Sequence, residues 1–184
     1  MRPSKRDELV RAALDAFQAG GYHATGVDAL AAAAGMSKTS IYNHFRTKDD
    51  VILAALDLRQ EEVLGAFRAR MAAAGDDPQD RIMGFFDALA DWFASPAFCG
   101  CAFIKAAAEH QAAADPIRAA AQAHKRDMEA LLATETARLP RTDPAALAAT
   151  LMTLAEGAIV RAHMGLGDDP AATARRAATI LLDA

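Results

Sequence analysis

The sequence is poor in cysteine, in aromatic residues and in β-branched residues, and each scarcity narrows what the chain can be. There are two cysteines and eleven aromatics in 184 residues. Alanine-rich composition with few β-branched residues favours helices throughout. Cys99 and Cys101 stand at the wrong spacing for a zinc knuckle or a thioredoxin-type motif. We interpret them as small thiols in a loop, with a thiol sensor or pocket-lining cysteines as the alternatives.

The recognised motifs of catalysis and metal binding are missing as well. The five histidines form no His-x-x-x-His pair and no Glu-x-x-His pair, and a di-iron helical bundle needs the latter. There is no Walker loop, no G-x-S-x-G and no dinucleotide fingerprint. We therefore expect a protein that is not an enzyme and that needs no metal and no cofactor.

Long apolar segments are also absent. No continuous apolar run reaches the ~18–20 residues of a membrane span, and the opening stretch MRPSKRDEL lacks the apolar region of a signal peptide. We expect a cytoplasmic protein with no membrane partner. The net charge is −4, but residues 1–50 carry +1 and residues 51–184 carry −5. The more basic end is therefore the better candidate for contact with nucleic acid.

Residues 25–45, TGVDALAAAAGMSKTSIYNHF, have the pattern of two short helices joined by a tight turn. The first half repeats apolar residues at the three- and four-residue spacing of one helical face. Thr25 and Asp28 stand at capping-box spacing. Gly35 suits the left-handed end of a helix, and Ser37 can cap the next one. So short a turn makes the helices cross steeply, as in a helix-turn-helix.

The second helix of this pair is too short to be stable alone and must bury Ile41 and Phe45. Its opposite face is then small and polar, with groups that can hydrogen-bond to base edges and phosphates. An ordinary helical hairpin with a solvated face is the alternative. The candidate DNA-binding residues are Thr25, Ser37, Lys38, Thr39, Ser40, Tyr42, Asn43, His44 and Lys48.

The stretch GGYHATGVDALAAAAGMSKTSIYNHFRTKDDV resembles the DNA-binding domain of the TetR family of transcriptional regulators. The matching features are a Gly-Tyr pair, a threonine, Ala-Gly-Met-Ser, Ile-Tyr-Asn-His-Phe and a following Lys-Asp. Thr39 and Gly26 depart from the common family pattern, which bears on the operator sequence. The resemblance implies a DNA-binding domain at residues 1–47 and an effector-binding and dimerisation domain at 48–184.

Prolines divide the rest of the chain. Asp-Pro pairs at residues 77, 115, 143 and 169 each place Asp at an N-cap and Pro at the first helical position. We therefore predict an all-α fold of about nine helices, the number that the resemblance also implies. The predicted helices are 4–19, 26–34, 38–45, 48–74, 78–94, 102–111, 116–138, 144–164 and 170–183.

Six of the eleven aromatics fall between residues 85 and 103. Such a stripe is most often part of a core, but the family binds its effector between the middle helices. The resemblance thus makes this region a candidate pocket, with Glu109, His110, Gln122 and Arg161 as polar groups of undetermined direction. The candidate effector-binding residues are Phe86, Leu89, Trp92, Phe93, Phe103, His124 and Met128.

The last two predicted helices are apolar on more than one side, which suits the dimer interface that the resemblance implies. The candidate interface residues are Leu147, Leu151, Leu154, Ala158, Ala177, Ile180 and Leu181. The predicted protein is a homodimeric repressor that binds palindromic double-stranded operator DNA and is released by a small apolar or aromatic effector. The alternative is a helical carrier or enzyme with a vestigial helix-turn-helix.

Overall fold

A computed structural model of the chain describes residues 4–183. Those residues form nine helices and no strand, so the predicted all-α fold is confirmed. The helices are α1 Lys5–Gly20, α2 Val27–Ala34, α3 Lys38–His44, α4 Lys48–Ala73, α5 Pro78–Phe93, α6 Ala102–Glu109, α7 Pro116–Thr136, α8 Pro144–His163 and α9 Pro170–Asp183.

The four Asp-Pro pairs begin helices, as predicted. The Asp77 carboxylate accepts hydrogen bonds from the backbone N–H groups of residues 79 and 80, and Asp143 accepts one from residue 146. Asp115 and Asp169 likewise accept bonds from the first turns of α7 and α9. Proline at the first helical position costs nothing there, because its missing N–H would have had no helical partner.

The predicted capping box at the start of α2 is wrong. Gly26 is the N-cap, and no side chain caps the helix there. The Thr25 hydroxyl donates instead to the Gly21 carbonyl at 2.7 Å. The helix starts one residue later than a Thr25 cap would require, so Thr25 faces back toward the preceding turn. The Asp28 carboxylate is thereby left for another partner.

The chain divides into two compact units. The first contains residues up to Glu62 together with Ala102–His124, and the second contains Val63–Cys101 with the segment from Lys125 onward. In the first unit, the apolar face of α1, formed by Leu9, Ala13, Leu14 and Phe17, is buried, as are Leu30 and Ile41. In the second unit, α9 packs on α5 and α8. Helix α4 contributes residues to both units, and the predicted functional division between residues 47 and 48 remains a prediction.

Helix α8 has the length and composition of a membrane span, with 20 residues and a mean hydropathy of 1.4 over an 18-residue window. Our expectation considered uninterrupted apolar runs, and Glu156 and Arg161 interrupt this one. The helix meets a test by length and composition, and the expectation about uninterrupted apolar runs still holds. A single such helix is weak support for a membrane location, because core helices of soluble proteins have the same composition.

Candidate nucleic-acid interface

Helices α2 and α3 form the predicted helix-turn-helix. Gly35 ends α2 with φ +61°, the left-handed conformation that glycine adopts without a steric penalty. Two residues later, the Ser37 hydroxyl accepts a hydrogen bond of 3.1 Å from the backbone N–H of Ser40. This cap starts α3 immediately after the turn. The tight connection follows from the local sequence, because each of its special positions has the residue that the backbone there requires.

Helix α3 has one buried face and one exposed face. Ile41 and Phe45, the residue that follows α3, are buried within the first unit, whereas Tyr42 is 52% exposed. Thr39, Asn43 and His44 are also exposed, as are Ser37 and Lys38, and Ser40 is half-buried. The exposed face therefore presents an amide, hydroxyls, an imidazole and an ammonium group. These groups can bond to base edges in a major groove and to phosphates.

Thr25 does not belong to this exposed face, so the structure gives no support to its side chain as a DNA-binding group. It is buried, and its hydroxyl donates to the Gly21 carbonyl. A hydroxyl engaged in a buried intramolecular bond is not available to a phosphate. The threonine of the motif instead fixes the turn between α1 and α2.

Three cationic side chains on or beside the helix-turn-helix have described partners. The Lys48 ammonium donates to the His23 carbonyl at 3.2 Å, and the Arg6 guanidinium lies 5.0 Å above the centre of the Phe45 ring. The Lys38 ammonium lies 2.7 Å from an Asp28 carboxylate oxygen. That hydrogen bond with Asp28 raises the pKa of Lys38 above its usual value. All three side chains can meet the phosphates of a DNA backbone.

Glu109, at the end of α6, holds the turn between α1 and α2. Its carboxylate accepts hydrogen bonds from the backbone N–H groups of Tyr22 at 2.9 Å and His23 at 2.6 Å, and it lies 3.2 Å from the His23 ring nitrogen Nδ1. Partial burial works to raise the pKa of Glu109, but the two backbone donors outweigh it and hold the pKa below its ordinary value. We had considered Glu109 a polar group of the effector pocket. In the structure its carboxylate supports the helix-turn-helix.

Neighbouring groups reinforce the same junction. The Tyr22 hydroxyl donates to the Ala102 carbonyl at 3.1 Å, and the Tyr22 ring stacks on Phe17. The His110 ring stacks on His23 with centroids 4.9 Å apart, and its Nδ1 lies 3.0 Å from an Asp115 oxygen. We refer to the contacts of Glu109 with Tyr22 and His23 as the Glu109 junction. Sequence reasoning missed it, because residues 87 positions apart carry no mutual signal.

The Glu109 junction should make the protein sensitive to acid. A carboxyl group whose pKa is lower folded than unfolded contributes stability above its unfolded pKa of about 4.3, and this is lost as the pH falls through the folded pKa. The melting temperature of the native protein should therefore fall more steeply below about pH 4.3 than that of Glu109→Gln, which cannot titrate at this position. Thermal melts between neutral and acidic pH measure the difference. If the melting temperatures of the two proteins fell equally with pH, Glu109 would not contribute to the acid sensitivity.

Two family models match the chain. The one described as "Bacterial regulatory proteins, tetR family" matches residues 9–55, which contain α2 and α3. The one described as "Tetracyclin repressor-like, C-terminal domain" matches residues 78–178, more than half of the chain. The chain belongs to the TetR family. The resemblance seen in the sequence is thereby confirmed, and it extends well beyond the helix-turn-helix.

Individual relatives agree with this assignment. The chain is 34% identical over 89 residues to the HTH-type transcriptional activator FasR of Mycolicibacterium smegmatis, covering 47% of this chain and 41% of FasR. It is 34% identical over 84 residues to the HTH-type transcriptional regulator TcmR of Streptomyces glaucescens, covering 46% and 36%. The chain thus spans less than half the length of these curated relatives. A TetR-family transcriptional regulator from Streptomyces coelicolor has a similar structure, with a TM-score of 0.86, 29% identity and 97% and 94% of the two chains covered.

The candidate effector residues of this TetR-family chain divide between the two units. In the first, the rings of Phe103 and His124 are buried and stack with an interplanar angle of 8°. In the second, Phe86, Leu89 and Met128 are buried, and Trp92 and Phe93 are half-buried. Only the last two have appreciable free surface for a ligand.

Trp92 and Phe93 belong to an aromatic cluster with Phe98. The Phe98 ring lies 5.2 Å from the Trp92 ring and 5.1 Å from the Phe93 ring, measured between centroids. Phe93 and Phe98 also line an open groove of about 480 Å³, together with residues of the α8–α9 turn. Phe98 was absent from our candidate set, although its place among the six clustered aromatics was visible in the sequence.

Two of the candidate interface residues are in the core instead. Leu151 is fully buried and Ala158 is 3% exposed within the single chain, so neither presents a surface to a partner. Their stripe of α8 packs inside the second unit, and the two apolar faces of α8 were therefore partly misassigned. Leu147, Leu154, Ala177 and Leu181 are half-buried, and Ile180 is 69% exposed. The structure adds Val160, Met164 and Leu166 as exposed large apolar side chains.

Proposed function

We propose that this TetR-family protein is a DNA-binding transcriptional repressor that reads a palindromic operator with α3. The observation that carries the proposal is the exposed face of α3, whose polar groups lie beside Lys38 and Lys48 while Ile41 holds the opposite face in the core. Bidentate amides such as that of Asn43 recognise adenine in the major groove, and lysines bind phosphates of any sequence.

A homodimer is part of the proposal. Large exposed apolar side chains that cluster on a soluble protein mark interaction surfaces. Ile180 on α9 and Val160 and Met164 at the end of α8 are large exposed apolar side chains in the second unit. A two-fold dimer would present two copies of α3 to the two half-sites of a palindrome. The dimer surface proposed here comprises these residues with Leu147, Leu154, Ala177 and Leu181.

Replacing Asn43 by alanine tests the reading role of α3. We expect Asn43→Ala to cost about 1–3 kcal/mol per half-site on operator DNA and to relax the preference at one base pair. Arg46→Ala is the matched control, because Arg46 is exposed next to α3 and would serve only the backbone. It should weaken binding to operator and scrambled DNA equally.

Affinities for an operator selected from the DNA flanking the protein's own gene, and for a scrambled duplex, provide the comparison. Unchanged discrimination by Asn43→Ala would reject the assigned face. If the native chain bound apolar ligands but no duplex at all, the carrier alternative would be favoured.

A small apolar or aromatic effector completes the proposal. We place its site at the groove of about 480 Å³ beside Phe93 and Phe98. Its wall combines these aromatic side chains with the acidic residues Asp168 and Asp169, and ligand sites typically join apolar walls to a few polar groups. An effector acts only through its different affinities for the DNA-bound and released states. It should weaken operator binding by about 1–3 kcal/mol of coupling, and operator must weaken effector binding by the same factor.

Trp92, the sole tryptophan, offers a direct probe of this site because its ring contacts both Phe93 and Phe98. Hydrophobic compounds that bind in the groove should quench or shift its fluorescence. Titrations of each hit with and without saturating operator then measure the coupling. Equal affinities in the two titrations would indicate a ligand site that is not coupled to DNA binding. The same titrations with Phe98→Ala test the position of the site, and an unchanged affinity would place the site away from Phe98.

A further inference from the structure

Asp28 is an acidic residue on the proposed DNA-binding surface, and it has no role as a helix cap. It lies in the first turn of α2, whose N-cap Gly26 makes no side-chain bond. Its carboxylate reaches across the turn to the Lys38 ammonium at 2.7 Å. Both side chains are well exposed, at 83% for Asp28 and 55% for Lys38. The pair is thus a solvent-exposed bridge between the two helices of the helix-turn-helix.

Lys38 is at an electrostatically unfavourable position for folding. It is the first residue of α3, where the positive end of the helix dipole repels a cation. Ser37 already provides the cap of this helix through its hydroxyl. Lys38 therefore adds nothing to the start of α3, and the Asp28 carboxylate offsets the repulsion. A DNA phosphate would offset it equally well.

We propose that Asp28 competes with a DNA phosphate for Lys38 and so lowers the affinity of the protein for DNA of any sequence. The inference rests on the proposed function, since it requires α3 to face a duplex. In the free protein, Lys38 is neutralised within the chain. In the complex, a phosphate replaces the carboxylate, and Asp28 remains as an unpaired negative charge near the backbone.

The exposure of the pair makes this exchange feasible. Exposed ion pairs contribute little to stability, because water screens both charges and two long side chains lose freedom on pairing. Binding to duplex DNA, in contrast, becomes more favourable with every phosphate that a lysine neutralises, because condensed counterions are released. A phosphate can therefore displace Asp28 from Lys38. Part of the free energy gained by phosphate binding is lost, because the ion pair with Asp28 must be broken.

Lys48 provides the contrast within the same surface. Its ammonium donates to the neutral carbonyl of His23, so its charge is not cancelled by that bond. Of these two lysines, only Lys38 has a described ion pair with a carboxylate. Because phosphates carry no sequence information, the loss caused by Asp28 should be equal on operator and on random DNA. Asp28 would then limit binding to the bulk of the genome without altering base preference.

The test is Asp28→Asn in the full-length protein, with binding to a fluorescent duplex of random sequence measured by anisotropy. We expect binding at about 50 mM salt to be about three- to tenfold tighter than for the native protein. The plot of log affinity against log salt should be steeper by up to about 0.9 for each subunit, because Asp28 no longer offsets the charge with which Lys38 neutralises its phosphate. An operator selected from a pool of random duplexes should show the same fold-gain.

Two further variants separate release of Lys38 from a general loss of negative charge. Asp49→Asn removes the same charge from an exposed first turn of α4 and leaves the Lys38 pair intact. Asp28→Asn is also measured in a Lys38→Gln background, where no ammonium remains to be released. The proposal requires the gain to be larger than that of Asp49→Asn and to disappear in the Lys38→Gln background.

Three results would overturn it: unchanged or weaker binding by Asp28→Asn, an equal gain from Asp49→Asn, or a gain that survives in the Lys38→Gln background. Circular dichroism of each variant checks that the helices are retained. If the native protein binds no duplex, the proposed function fails and this inference with it. If the native protein binds and Asp28→Asn gains nothing, only the role of Asp28 fails.

Discussion

Replacing Leu151 by glutamate is expected to unfold the second unit and not to release folded monomers. Leu151 is fully buried in the single chain, on the face of α8 that packs into the core. A carboxylate at this position has no room and no described cation to pair with, and burial of an unpaired charge is among the most destabilising substitutions known. We expect a loss of about 3–5 kcal/mol or more, which exceeds half the stability of many domains. Urea unfolding followed by circular dichroism measures it.

The matched variant is Ile180→Glu on α9. Ile180 is 69% exposed, so the charge remains in water within the single chain and the helices should be retained. If Ile180 belongs to the dimer surface, the charge must be buried on association, and sedimentation should then show monomers. A folded Leu151→Glu monomer would contradict the core position of Leu151. A folded Ile180→Glu dimer would exclude Ile180 from the interface.

The comparison of these two residues shows how far apolar patterning can go. The spacing of apolar residues in α8 and α9 correctly predicted helices with more than one apolar face. The pattern could not determine which apolar face packs inside the chain and which one meets a partner. An apolar side chain has the same hydrophobicity in both positions. Leu151 and Ile180 therefore received the same assignment, and only the packing of α5 against α9 and α8 separates them.

Local backbone requirements were predicted more reliably. Gly35, Ser37 and the four Asp-Pro pairs specify turns and caps through contacts within a few residues, and all are found where expected. Thr25 is the exception. Its spacing to Asp28 satisfied a capping box, but its hydroxyl instead donates to the Gly21 carbonyl, four residues earlier, at 2.7 Å. Local rules are weakest where two local partners compete for one hydroxyl.

The long-range support of the helix-turn-helix was beyond the reach of sequence reasoning. Lys105 donates to the Gln18 carbonyl at 3.1 Å, and the Tyr22 hydroxyl donates to the Ala102 carbonyl. With the Glu109 junction, these bonds join α6 to the segment between α1 and α2. Each uses backbone groups of one partner, and backbone groups have no sequence signature. The DNA-binding part of the chain therefore depends on residues far outside the motif by which it is recognised.

Replacing Glu109 by alanine is the sharpest test of that dependence. The variant removes the acceptor for the N–H groups of Tyr22 and His23, and Tyr22 is fully buried. A buried backbone donor left without a partner costs about 1–3 kcal/mol. The part-buried bond of Tyr22 should therefore account for most of the loss, since the bond of His23 is exposed to water. We expect Glu109→Ala to lower the thermal stability and to weaken DNA binding, although Glu109 itself is not among the residues proposed to touch DNA.

Glu109→Gln separates support of the turn from simple loss of charge. Its side-chain carbonyl can still accept one of the two backbone bonds, so we expect it to restore part of the stability and most of the DNA affinity lost in Glu109→Ala. Hydrogen exchange of the Tyr22 and His23 amides gives a readout specific to the junction, because both should exchange faster in the alanine variant than in the glutamine variant. Equal exchange in all three proteins would show that another group holds the turn. Weaker DNA binding with unchanged exchange would instead point to a direct electrostatic effect of the carboxylate, and unchanged binding with faster exchange would separate the turn from the reading of DNA.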